Sequence, residues 1–208
     1  MKSQTAFSLN GSSKVKPEET IILVSGLPRS GTSMLMKMLE AGGIPILTDN
    51  LRQADEDNPK GYYELEKVKQ LKDGETTWVT HAKGKAVKTI SALLEYLPRD
   101  YFYKVLFMKR EMSEILASQR EMLVRRGEPT DRVGDDKMAE LFSKHLEKVE
   151  HWLAKQTNFD VCYINYNEAL ANSETTIEQI INFLGLNLNR EAMRKVIDPD
   201  LYRQRNRS

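Results

Sequence analysis

From Glu19 onward, apolar residues follow two alternating patterns: short uninterrupted runs, and longer stretches in which they recur at helical spacing. Residues 20–25 form a short run rich in β-branched side chains and closed by Gly26, as a strand buried on both faces requires. Residues 34–41, rich in Leu and Met, predict a helix that Gly42 and Gly43 stop. Further strands are predicted over 85–90, 103–109 and 160–165. Helices are predicted over 62–72, 91–97 (ended by Pro98), 111–126, 136–155, 173–184 (ended by Gly185) and 190–196. Residues 48–61 and 127–135 read as loops. Parallel strands joined by helices need crossover connections. The fold class is therefore α/β: a three-layer α/β/α domain with a mostly parallel central sheet. Ligands of such sheets bind at the carboxyl ends of the strands.

The 208 residues suffice for one such domain, expected over 19–208, preceded by a flexible polar segment over 1–18. A formal net charge of +1 provides no long-range field toward nucleic acid or an anionic membrane, and neither is an expected partner. No apolar run approaches membrane-span length, and the polar start lacks a signal-peptide core. Cys162 is the single cysteine, so no internal disulfide forms and no cysteine-based metal spacing exists. These features point to a cytoplasmic protein. Asp55, Glu56 and Asp57 cluster in a loop, where acids are ordinarily solvated; no metal is expected.

The first strand leads into Gly26-Leu27-Pro28-Arg29-Ser30-Gly31-Thr32-Ser33 and then a helix. This order suits phosphate. Glycines allow the backbone amides a close approach, and the helix start contributes N–H groups and the positive end of its dipole. Ser30, Thr32 and Ser33 add hydroxyls, and Arg29 adds a charged fork. The spacing follows the nucleotide-triphosphate loop GxxxxGK[ST] except that Thr32 stands where the lysine belongs. That lysine reaches the terminal phosphates in ordinary ATPases, GTPases and kinases.

Pro28-Arg29-Ser30-Gly31-Thr32-Ser33 resembles the 5′-phosphosulfate loop of sulfotransferases, in the arginine-bearing form of the tyrosylprotein and bacterial branches. The resemblance implies a P-loop-like fold and 3′-phosphoadenosine 5′-phosphosulfate as donor. It implies donor binding by Pro28, Arg29, Ser30, Gly31, Thr32 and Ser33. It also implies that Arg110, after the third strand, and Ser118, eight residues later, bind the donor's 3′-phosphate. A bidentate guanidinium and a hydroxyl suit such a dianion. Residues 163–170 and Phe183-Leu184-Gly185-Leu186 are similar to the family's strand-plus-Y-E-D-L and F-L-G-L elements, which indicate fold rather than chemistry. Two elements depart from the pattern. The lysine-threonine-histidine of many members is Lys88-Thr89-Ile90 here, and the late R-K-G-x-x-G-D-W element is missing. Arg203, Arg205 and Arg207 of the tail are partial substitutes or a solvated end.

Sulfuryl transfer needs in-line positioning and stabilisation of charge on the bridging oxygen. Arg29, the amides of residues 30–33, and Lys88 at the end of the second strand are the expected agents. With no histidine after Lys88-Thr89, a carboxylate is the expected base. The tyrosylprotein and heparan branches use a glutamate from the region of Glu64, which makes Glu64 the candidate, with Glu66 and His81 in reserve. His145 and His151 lie in the long helix and are expected to be structural or exposed. Tyr62, Tyr63 and Trp78 are expected in ordinary packing. The acceptor is expected to be a hydroxyl or amine on a small molecule, carbohydrate or peptide. Two rivals remain: a P-loop nucleotide kinase or hydrolase with an altered loop, and a non-catalytic nucleotide-binding protein of the same fold.

Overall fold

The computed structural model describes residues 16–49, 51, 61–130 and 133–197. Asp55, Glu56 and Asp57, the tail arginines 203, 205 and 207, and the lead-in through residue 15 lie outside the described residues. A 3-10 turn, Pro17–Glu19, leads into β1 (Thr20–Gly26), and the glycine loop then gives α1 (Thr32–Ala41). The short α2 (Glu66–Lys69) and 3-10 turns at Leu71–Asp73 and Val79–Ala82 precede β2 (Ala86–Lys88). Another 3-10 segment, Ser91–Tyr96, connects to β3 (Phe102–Lys109), followed by α3 (Met112–Arg125) and α4 (Asp135–Leu153). The chain continues through β4 (Phe159–Asn165), α5 (Tyr166–Ala171), α6 (Ser173–Leu184) and α7 (Arg190–Val196).

The described strands form one all-parallel sheet in the order β2-β1-β3-β4. Side chains alternate across a strand, so its apolar runs divide by parity. Ile22, Val24, Leu106, Met108, Cys162 and Ile164 pack against α1, α6 and α7. Ile21, Leu23, Val105, Phe107 and Phe159 face the opposite way, onto α4 and the 3-10 segments. The three layers follow from that division. Among the described residues no helix is long and apolar enough to cross a membrane.

Three local differences from the sequence pattern have physical causes. The helix expected over 62–72 breaks into α2 and a 3-10 turn, because Gly61 (φ 88°) and Tyr63 (φ 53°) hold left-handed backbone that a right-handed helix excludes. The Tyr63 hydroxyl is anchored on Glu40 Oε2 at 2.7 Å. The strand expected over 85–90 pairs as Ala86–Lys88, and beyond the last bond, Thr89 N–H to the Val24 carbonyl (3.0 Å), the chain turns into the 3-10 segment. An unexpected helix, α5, begins where the Asn165 side chain accepts the Glu168 N–H at 3.0 Å, an N-cap. Gly185 (φ 70°) ends α6 in the left-handed cap expected of it.

The core defined by this parity is testable. Phe107 is fully buried in the central strand β3, so Phe107→Ala will lower unfolding free energy by about 3–5 kcal/mol in urea titration. Val124, exposed on α3, will tolerate Val124→Gln within about 0.5 kcal/mol in the same assay.

Candidate active site

The loop after β1 is shaped by its own packing. Gly26 has φ 146°, and a Cβ there would lie 2.7 Å from both the Met108 carbonyl oxygen and Ser30 Oγ. Gly31 has φ 103°, and a Cβ there would collide with the Tyr166 ring at Cδ2. Both glycines are therefore required before any ligand arrives. Ser30, expected among the phosphate donors, turns inward. It is buried, and its hydroxyl (2.7 Å) and amide (3.2 Å) both donate to the Leu27 carbonyl, closing the turn. Arg29 is also left-handed (φ 69°), a conformation uncommon for a residue with a side chain. The first rung of α1 is Leu35 N–H to the Gly31 carbonyl at 3.2 Å. The amides of Thr32, Ser33 and Met34 precede it, at the positive end of the helix dipole.

Three cationic side chains from three strand ends converge on this loop. Lys88, at the end of β2, donates from Nζ to Ser33 Oγ (3.0 Å) and to the Tyr62 carbonyl (2.8 Å). A lysine thus reaches the start of α1 although Thr32 occupies the usual lysine position. Arg29 donates from Nε to Ser118 Oγ on α3 at 3.0 Å. Arg110, just past β3, donates from Nη1 to the Arg29 carbonyl at 3.1 Å and from Nε to Glu114 Oε2 at 2.9 Å. Its guanidinium lies over the Tyr166 ring, 4.4 Å from the centroid. Arg29, Arg110 and Ser118, read separately from the sequence, form one hydrogen-bonded surface at the carboxyl edge of the sheet. Pro28 is exposed at the rim, while Gly31, Thr32 and Ser33 are half-buried beneath it.

A family model for the sulfotransferase domain matches residues 19–199. The chain belongs to the sulfotransferase family. Solved sulfotransferases share its fold. Sulfotransferase STF1 from Mycobacterium tuberculosis is 19% identical, with a TM-score of 0.57 over 86% of this chain and 70% of that one. Mouse sulfotransferase SULT7A1, solved in complex with PAP, is 23% identical, with a TM-score of 0.54 over 86% of this chain and 63% of its own. The sulfotransferase domain from the curacin biosynthetic pathway is 14% identical, with a TM-score of 0.50 over 83% of this chain and 76% of that one. No curated protein matches the chain significantly.

The base candidates separate in this sulfotransferase. Glu64 sits two residues after Tyr62, whose carbonyl accepts from Lys88. Its carboxylate is mostly buried and lies 3.3 Å from Lys69 Nζ, while its backbone carbonyl accepts from Thr48 Oγ1 at 2.7 Å. Glu66 begins α2, its amide bound to Asp49 Oδ2 at 2.6 Å and its carboxylate paired with Lys69. His81 lies at the opposite edge: its turn precedes β2, and nearby Gly84 N–H bonds the carbonyl of Thr20, the first residue of β1. That location removes it as a base for chemistry at the loop. His145 Nε2 lies 2.8 Å from Ser91 Oγ, and burial holds its pKa below the ordinary histidine value. His151 is exposed. Among the described residues, no three His, Cys, Asp or Glu side chains come together as metal ligands.

Three residues absent from the sequence expectation belong to the site. Glu114 is buried between Arg110 and Asn167, whose Nδ2 donates to Glu114 Oε1 at 3.0 Å. Tyr166 packs on Arg110 and on Gly31, and burial raises its phenol pKa, keeping it neutral. The i,i+4 spacing of Arg110 and Glu114 was a readable signal for their pair. Tyr166 and Asn167 lie in the 163–170 element that was assigned to fold rather than chemistry, and their partners lie far away in sequence.

Gly31→Ala tests this packing. Strain at positive φ and the collision with Tyr166 will lower stability by roughly 3 kcal/mol or more. In denaturant titrations the Gly31→Ala/Tyr166→Ala double variant will be destabilised by less than the sum of the two single changes, because the truncated ring relieves the collision.

Proposed function

We propose that this sulfotransferase moves the sulfuryl group of 3′-phosphoadenosine 5′-phosphosulfate to a hydroxyl or amine acceptor. One observation carries the reading: the hydrogen-bonded surface that unites Arg29 of the loop with Arg110 and Ser118 of the β3–α3 connection. A donor phosphorylated at both the 3′ and 5′ positions needs two anion sites held at fixed separation. The loop and the start of α1 suit the 5′ end, and the Arg110–Ser118 pair suits the 3′-phosphate. SULT7A1, which shares the fold, was solved with PAP.

The donor supplies an activated sulfuryl group on a phosphate leaving group. In the transfer, the acceptor oxygen or nitrogen forms a bond to sulfur while the bridging sulfur–oxygen bond breaks and its electron pair passes to the phosphate oxygen. Lys88, resting on Ser33 Oγ, and the amides at the start of α1 offset charge on that oxygen. Arg29 orients the group from the opposite wall. Glu64 takes the acceptor's proton. The acceptor is a small molecule, carbohydrate or peptide, and the site works without a metal.

Titration calorimetry with adenosine 3′,5′-bisphosphate, ATP and GTP, each with and without magnesium, tests the donor assignment. The bisphosphate will bind best, independently of magnesium, and Arg110→Ala will weaken it by about 10- to 100-fold. A preference for ATP or GTP with magnesium would instead indicate a nucleotide kinase or hydrolase. Bisphosphate binding without sulfuryl transfer to any screened acceptor would indicate a non-catalytic protein of this fold. Glu64→Gln separates base from binder: turnover with a productive acceptor will fall by about 10²- to 10⁴-fold while bisphosphate affinity stays unchanged. Normal turnover by that variant would remove Glu64 from the mechanism.

A further inference from the structure

We infer that Glu114 and Asn167 are positioning residues that give the site its selectivity for a 3′-phosphorylated nucleotide, acting through Arg110; the inference rests on the donor site proposed above. Glu114 carries a negative charge beside a surface meant for anions. On charge alone it weakens phosphate binding, so a functional role for it must come from geometry.

The geometry is specific. A guanidinium is planar, so fixing two of its nitrogens and one face fixes the direction of the remaining edge. Glu114 Oε2 holds Nε at 2.9 Å, the Arg29 carbonyl holds Nη1 at 3.1 Å, and the Tyr166 ring covers a face at 4.4 Å. Glu114 is itself held: its side chain is 3% exposed, and Asn167 Nδ2 donates to Oε1 at 3.0 Å. The residue lies in the first turn of α3, where the helix dipole favours a carboxylate. Asn167 and Tyr166 are neighbours on α5, so one short helix both clamps the carboxylate and provides the ring beneath the arginine. Glu114 touches Arg110 directly, and Asn167 acts on it through the Glu114 carboxylate.

Calorimetry with two ligands, adenosine 3′,5′-bisphosphate and adenosine 5′-monophosphate, tests this on wild type and Glu114→Gln. The wild type will prefer the bisphosphate. Glu114→Gln keeps the side chain's shape but removes the charged acceptor; it will bind the bisphosphate about 10-fold or more weakly and the monophosphate within about twofold of wild type. Unchanged or tighter bisphosphate binding would mean that Glu114 is only a counter-charge, and equal weakening of both ligands would mean that its role is general folding; either overturns the inference while leaving the donor site in place. A wild type without preference for the bisphosphate would overturn the donor reading and this inference together. If thermal melts show Glu114→Gln unfolded, Asn167→Ala decides. It leaves the ion pair but frees the carboxylate, and will lose about threefold or more of the preference for the bisphosphate; an unchanged preference would overturn the inference.

Discussion

The guanidinium of Arg110 ties the glycine loop to the rest of the domain. It touches β1's loop through the Arg29 carbonyl, α3 through Glu114 and α5 through the Tyr166 ring. Arg110 and Glu114 are both nearly buried. A buried ion pair is tolerable only when further hydrogen bonds satisfy its atoms, and the Arg29 carbonyl and Asn167 amide do so here. Breaking such a pair from one side is expensive, on the order of 3–5 kcal/mol, because the remaining charge stays buried. The loop's shape, the place of α5 and the direction of the arginine are thus set together.

The same constraint accounts for the loop's unusual backbone. Arg29 holds a left-handed conformation, which costs on the order of 1–3 kcal/mol for a residue with a side chain. Its carbonyl bond from Arg110 and its own bond to Ser118 offset that strain. Ser30 closes the turn beneath it, and Gly31 leaves the room that the Tyr166 ring fills. Around this turn lie the amides that begin α1 and the side chains of Arg29, Lys88 and Arg110. Lys88 brings a cation to the start of α1 although Thr32 occupies the usual lysine position. It arrives from the adjacent strand and rests on the hydroxyl one residue after the missing lysine.

The fold was largely legible because its signals are local. Uninterrupted apolar runs, glycines after helices and crossover spacing identified the four strands and α1, α3, α4, α6 and α7. The loop was legible for the same reason, since its residues are contiguous. Elements defined by left-handed backbone at Gly61 and Tyr63, or by a short capped helix at Asn165, carry little periodicity and were misread or missed. Contacts across the chain were invisible. Arg29 and Ser118 lie 89 residues apart, and Asn167 and Glu114 lie 53 apart. His81 shows a related limit: its place before the second strand in sequence gives no hint of which sheet edge its side chain occupies, and here it occupies the edge away from the loop.

The most direct measurement is a crystal structure with adenosine 3′,5′-bisphosphate bound. The account predicts the 5′-phosphate at the amides that begin α1, beside Lys88 and Ser33, and the 3′-phosphate on Arg110 and Ser118, with Glu114 still on Nε of Arg110. A 3′-phosphate bound away from Arg110 and Ser118, or a nucleotide seated outside the loop, would contradict it.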